Sequence, residues 1–213
     1  MQITLAIDTS ENKTFSCVVF GFQNEIDSLY REMSKIFEKC GRRGALHWRK
    51  MTKDIRNRSK APLAEAFKKY NVKLFVFEHP RLRNVPKKKF YTVDIPNKIA
   101  YCLEQHFRGK TGFVRMECDD DYFVEGLGER GTERFLENFL RQITFRLTGE
   151  NITIRKVKNT YRATIKQNGD ILEFLALPMQ SGNSRGIQIA DIVLGLFKHY
   201  REGLDKKIIL RKL

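Results

Sequence analysis

Asp191 stands in the middle of Ser184–Phe197, a stretch apolar nearly all round that reads as a buried helix. On a 3.6-residue period it shares a face with Ile187, Leu194 and Gly195. That is the inward face, where an unpaired charge is strongly unfavourable. A carboxylate persists there by binding a metal ion or by pairing with a cation. Other strand-like segments also end in acids: Asp8, Glu78, and Glu117 with Asp119. Carboxylates gathered at one point repel unless cations sit between them, and Mg²⁺ or Mn²⁺ suits all-oxygen ligation. Two such ions about 3.5–4 Å apart serve the in-line attack of water on a phosphodiester.

Each acid also has a plainer use. Asp8 suits a side-chain cap for the turn after a strand. Asp191 can pair with one of the many Lys or Arg residues. Asp119, Asp120 and Asp121 read equally as a solvated loop, and Glu78 and Glu117 as half-exposed strand ends. His47 and His79 have the chemistry for proton transfer, but beside Trp48 and Pro80 both read as packing residues.

The charge balance supplies the other half of a nuclease. The 213 residues hold 40 Lys and Arg against 25 Asp and Glu, a formal net charge of +15. Such an excess points to an anionic partner, most often nucleic acid. The densest basic run is Arg42, Arg43, Arg49, Lys50, Lys53, Arg56 and Arg58, with Trp48 inside it. A second runs from Arg81 to Lys89 and is followed by Phe90 and Tyr91. Cations interleaved with aromatics suit single-stranded nucleic acid, whose phosphates meet the cations while its bases stack. Single-stranded DNA is the expected partner, with RNA an alternative. Arg42, Arg43, Trp48, Arg49, Lys50 and Lys53 are the candidate contacts.

Cys17, Cys40, Cys102 and Cys118 are far apart and form no Cys-x-x-Cys pair, which argues against zinc and for reduced core thiols. No apolar run approaches the roughly 18 residues that span a bilayer, and Met1–Leu5 does not read as a secretory signal. A cytoplasmic protein is expected, with no membrane partner.

The elements that must position these residues follow from pattern. Ile3–Ile7 and Thr14–Phe22 read as a hairpin, which puts Asp8 at the end of the first strand. Ile26, Leu29, Tyr30, Met33 and Phe37 are spaced for a helix over Asn24–Phe37. Pro62 opens a short helix ending near Tyr70. Val72–Phe77 and Gly112–Cys118 read as buried strands, Pro96–Phe107 and Gly131–Leu147 as helices. Ile152–Val157, Tyr161–Ile165 and Ile171–Leu177 read as strands, the last two joined by an Asn168-Gly169 turn. Period-two alternation puts Phe113, Arg115, Glu117 and Asp119 on one side of their strand. The order predicts one domain over 1–213, an α/β mixed sheet with an N-terminal antiparallel hairpin and helices on both faces.

With Asp8 closing the first strand of a hairpin and a last helix bearing an Asp, the chain resembles the ribonuclease-H-like superfamily. It is most similar to a branch whose members begin with a strand ending Asp-Glu-Ser-Gly and finish with Gly-(Leu/Ile)-Gln-(Leu/Ile)-Ala-Asp. Here these read Asp8-Thr9-Ser10-Glu11 and Gly186-Ile187-Gln188-Ile189-Ala190-Asp191. That branch also carries a Glu-(Leu/Ile)-His-like motif after the first helix, where this chain has Ala45-Leu46-His47 without the acid. Its mid-chain strand ending in Asp resembles the segment closing at Glu117-Cys118-Asp119. The resemblance implies a ribonuclease-H-like fold and a Mg²⁺- or Mn²⁺-dependent nuclease, whether exonuclease or endonuclease. Asp8, Asp119 and Asp191 would be the catalytic metal ligands, Glu117 a supplementary one and Glu78 the rival for the middle acid. The missing acid near His47 and the altered Thr9 suggest the alternative, a binding or scaffold protein that keeps the fold without the chemistry.

Overall fold

The computed structural model describes residues 2–10, 15–79, 90–120, 130–167, 169–200 and 208–212. The chain divides into two compact units. The first comprises Thr4–Pro80 with Ser181–Lys212; the second comprises Arg81–Gln180 with the terminal residues Met1–Ile3 and Leu213. Both are α/β.

In the first unit the strands are β1 (Gln2–Thr9), β2 (Phe15–Phe22), β3 (Lys73–Glu78) and β8 (Ile208–Lys212), side by side in that order. The short link between β1 and β2 leaves no room for a parallel crossover, so they form the expected hairpin. The backbone N–H of Ser10 donates to the carbonyl of Phe15 at 2.8 Å, which sets Ser10 opposite Phe15 and therefore Asp8 opposite Cys17. β2 pairs antiparallel with β3, Phe15 facing Glu78 and Cys17 facing Val76. β1 and β3 thus run the same way, and Asp8 and Glu78 share one face near one sheet edge. β8 adds to β3 in parallel; its five residues carry too little pattern for the sequence to announce it.

The first unit's helices are α1 (Gln23–Lys39), α2 (Lys53–Lys69) and, near the C-terminus, α5 (Arg185–His199). In α1 the predicted stripe Ile26, Leu29, Met33 and Phe37 is buried. α2 corrects an expectation, because it begins at Lys53 and carries Pro62 inside it. The Thr52 hydroxyl caps it by accepting from the Ile55 N–H at 3.3 Å, and Asp54 in the first turn suits the positive end of the helix dipole. Its buried residues begin only at Ser59 and continue with Leu63, Ala64, Ala66 and Phe67, so its polar first half shows no apolar period.

The second unit holds β4 (Gly112–Asp119), β5 (Arg155–Val157), β6 (Thr160–Gln167) and β7 (Asp170–Met179), in the order β5-β6-β7-β4. β4 runs parallel to β7, and β6 pairs antiparallel with both β5 and β7. Gly169 takes the left-handed φ of 88° that the two-residue turn demands. β5 is shorter than expected and fully exposed. α3 (Ile95–Phe107) and α4 (Gly131–Thr148) pack on each other, and α4 also packs on β6 and β7. Phe135, Leu136, Phe139, Leu140, Ile143 and Leu147 of α4 are buried as their spacing predicts. The four cysteines are free thiols. No described helix is long and apolar enough to cross a membrane.

Candidate functional site

The motif of the last helix is built to grip a loop. Ser184 caps α5 by accepting from the Ile187 N–H at 3.0 Å. A β-carbon at Gly186 would lie 2.5 Å from the Ala6 Cβ, so glycine lets the helix rest directly on β1. At the other end of α5, the Phe197 ring meets Phe15 edge-on, centroids 5.6 Å apart. Ala6, Asp8 and Phe15 share a face of the sheet, so α5 lies across the face that carries Asp8.

Gln188 is buried in this helix and both ends of its amide are engaged. Its Oε1 accepts from the Leu46 N–H at 2.7 Å and from the Tyr30 hydroxyl at 3.0 Å. Its Nε2 donates to the Gly182 carbonyl at 3.3 Å. One turn on, the Asp191 Oδ2 accepts from the Trp48 N–H at 2.8 Å. A β-carbon at Gly195 would fall inside the Trp48 ring. Gln188 and Asp191 therefore hold the loop by two of its backbone donors, and Gly195 makes the slot for its indole.

Asp191 is the candidate reactive group of this arrangement. Its side chain is 22% exposed, less buried than the apolar helix predicts. The His47 Nδ1 lies 3.8 Å from Oδ2, with the same 22% exposure. That is an electrostatic contact and too long for a hydrogen bond. Oδ1 accepts no hydrogen bond from the described residues. Asp191 thus presents one oxygen to a backbone donor and keeps the other, beside an accessible imidazole. His47, read from the sequence as a packing residue, stands next to the carboxylate instead.

Asp8 is buried, and its Oδ1 accepts from the N–H of Thr9 at 2.7 Å. Burial, and secondarily the Asp8 charge opposite, push the Cys17 thiol well above its ordinary pKa. Glu78 is half-buried, one row further along the same face. His79 is a packing residue, its Nε2 lying 2.8 Å from the Ser16 hydroxyl inside the core.

The second unit's acids have a different setting. Arg115 Nε donates to Glu117 Oε1 at 2.6 Å, with the Glu117 side chain 9% exposed. The alternation that puts Glu117 and Asp119 on one side also puts Arg115 there, so Glu117 is neutralised by its own strand. Asp119 is half-buried at the end of β4. The Thr132 hydroxyl donates to the Asp120 carbonyl at 3.2 Å; Asp121 lies outside the described residues. Among the described residues no group of three or more His, Cys, Asp or Glu side chains is placed to hold a metal ion.

Of the expected nucleic-acid contacts, Arg43, Arg49, Lys50 and Lys53 are exposed and Arg42 is half-buried. Trp48 is a correction. It is 4% exposed, with the Arg56 guanidinium 6.0 Å from its ring centroid and the His199 ring stacked at 6.5 Å. It packs, and offers no face to a base. The second basic run, Arg81 to Lys89, lies outside the described residues.

Sequence reasoning did not find the work of Gln188. A lone amide in an apolar helix was the available signal, since it must find partners when buried. No family model, curated protein or solved structure matches the chain.

Proposed function

We propose that the protein is a divalent-metal-dependent nuclease in which Asp191 and Asp8 hold Mg²⁺ or Mn²⁺ against the phosphate of a nucleic-acid substrate. The observation that carries this reading is the setting of Asp191. A backbone N–H fixes its carboxylate in a half-exposed position, and one oxygen is left for a ligand. Mg²⁺ commonly takes one or two carboxylates and completes its octahedron with water and substrate phosphate. Asp8 lies on the sheet face that the Asp191 helix crosses, and two such donors would suit that habit; no three-acid cage is present among the described residues. A bound ion would supply Lewis-acid polarisation of the phosphate and an activated water. The chain's own contribution is positional: Gln188 and Asp191 fix the loop, His47 can move a proton beside the phosphate, and the basic surface holds the polyanion.

The test is cleavage of labelled single-stranded DNA, RNA, duplex and hybrid with Mn²⁺, with and without chelator. Wild type should cut, and Asp191→Asn or Asp8→Asn should lower the rate by about a hundredfold or more. Asparagine still offers an oxygen to the Trp48 N–H, so thermal unfolding of Asp191→Asn should stay near wild type. Full activity in both variants would refute the assignment.

A second reading is favoured by the same hydrogen bond. If holding Trp48 is all that Asp191 does, the protein is a nucleic-acid-binding or scaffold module. Substrates shifted but uncut under every metal condition would select it.

A further inference from the structure

The chemistry proposed above leaves unused a group of cations around Trp48. Arg56 and Lys60 lie one turn apart on the same face of α2. Lys198 and His199 occupy the last turn of α5. The His199 ring stacks on Trp48 at an interplanar angle of 20°, and the Arg56 guanidinium approaches the same indole. Arg56 is aimed by its hydrogen bonds, Nε to the Met51 carbonyl at 2.9 Å and Nη2 to the Arg49 carbonyl at 3.4 Å. The two elements thus converge on one indole.

No acid among the described residues answers these charges. Among the described residues Arg56, Lys60 and Lys198 make no ion pair. Asp54, on α2, is paired with Arg58 at 2.7 Å, and Asp191 is held by the loop. The crowding is felt by His199, whose pKa is lowered by burial and then by Lys198, Lys60 and Arg56. A helix C-terminus attracts cations through its dipole, which accounts for Lys198 and His199. It does not account for Arg56 and Lys60, which lie within α2. An uncompensated cluster drawn from two elements is the electrostatic form of a polyanion site.

We propose that Arg56, Lys60, Lys198 and His199 form a docking track for the sugar–phosphate backbone of single-stranded nucleic acid, with Tyr200 as its stacking platform. Lys198, His199 and Tyr200 are consecutive and exposed at the end of α5. An accessible aromatic beside a row of cations matches a strand whose bases are unstacked; a duplex keeps its base faces inside. Trp48, which the sequence offers as the stacking residue, is instead the buried post on which the track is mounted. This inference rests on the reading of nucleic acid as substrate.

The experiment measures binding of fluorescent single-stranded DNA and RNA oligonucleotides in chelator, so that no cleavage enters. Lys60→Gln/Lys198→Gln should bind about tenfold more weakly near 0.1 M salt, and its log-affinity against log-salt slope should fall by about 1.4. Tyr200→Ala should lose about tenfold with the slope unchanged. Unchanged affinity and slope in the double variant would overturn the track. Duplex bound as tightly as single strand would overturn the choice of ligand. Cleavage by wild type with unaltered binding by the double variant would defeat the track and leave the nuclease standing. Weakened binding by that variant, with no cleavage by wild type, would do the reverse.

Discussion

Both units carry surface ion pairs, but they treat their candidate site acids in opposite ways. In the second, carboxylates are answered by cations at short range. Glu117 takes Arg115, Glu104 takes Arg108 at 2.8 Å and Arg146 at 3.4 Å, and Glu133 takes Lys156 at 2.7 Å. Glu104 and Glu133 consequently have pKa values below the ordinary range, chiefly through the side-chain hydrogen bonds from Arg108 and Lys156. In the first unit Asp191 is answered by a backbone N–H, while Arg56, Lys60 and Lys198 have no acid partner among the described residues. An ion pair consumes the charge on both sides. A backbone amide orients a carboxylate without neutralising it, and an unpaired cation keeps its field. Charge therefore stays available at Asp191 and in the Arg56, Lys60 and Lys198 group, whereas that of Glu117 is committed to its own strand.

The largest effect should come from closing the slot beneath the Trp48 loop. Gly195→Ala drives a methyl group into the indole, so the ring and the loop carrying His47 must move. Overpacking of this kind costs about 1–3 kcal/mol. Denaturant unfolding should show that loss, and cleavage should fall with it, because the partner of Asp191 has been displaced. Retention of both full stability and full activity would mean that the loop has no role in positioning the carboxylate.

A smaller effect with the opposite signature is expected in the second unit. Glu117→Gln removes a charge partner from Arg115, whose side chain is one-third exposed and can turn toward water. The cost should be about 1 kcal/mol, between the range for exposed ion pairs and that for buried charge-assisted hydrogen bonds. Cleavage should be unchanged. If the rate instead fell as far as in Asp191→Asn, Glu117 would be a metal ligand after all, and the contrast between the units would fail at that residue.

How much of this could be read from residues alone depended on range. The helices with dense apolar periods, α1, α3, α4 and α5, were legible because their buried faces repeat in sequence. The start of α2 was not, since its first half is polar, and β8 was too short to announce itself. At the site, the importance of Asp191 was legible from a charge set among aliphatics. Its partner was not, because a hydrogen bond from the Trp48 backbone leaves no mark in residue identity. Trp48 itself was misread, since interleaved cations and aromatics do not reveal which way a ring turns. The Arg115–Glu117 pair was within reach: the same alternation that grouped the acids had already placed the arginine beside them.

The smallest effect expected is a pH dependence that separates the units by the pH interval in which each loses stability. His199 has a folded pKa below its ordinary value of about 6.5, so the unfolded chain takes up a proton at this site more readily. Above that value both states are neutral and the site contributes nothing. As pH falls through it, protonation favours the unfolded chain and stability declines. Glu104 and Glu133 have lowered pKa values, so their contributions are complete above about 4.5 and are lost only as pH falls further. Unfolding measured between pH 7.5 and 5 should therefore report the burial of His199, and secondarily its cationic neighbours, while the carboxylate pairs of the second unit stay intact. His199→Gln should flatten the profile in that interval and leave the decline below pH 4.5 unchanged. A profile identical to wild type across pH 7.5–5 would show that neither burial nor the cations around Trp48 disfavour the charged form of His199.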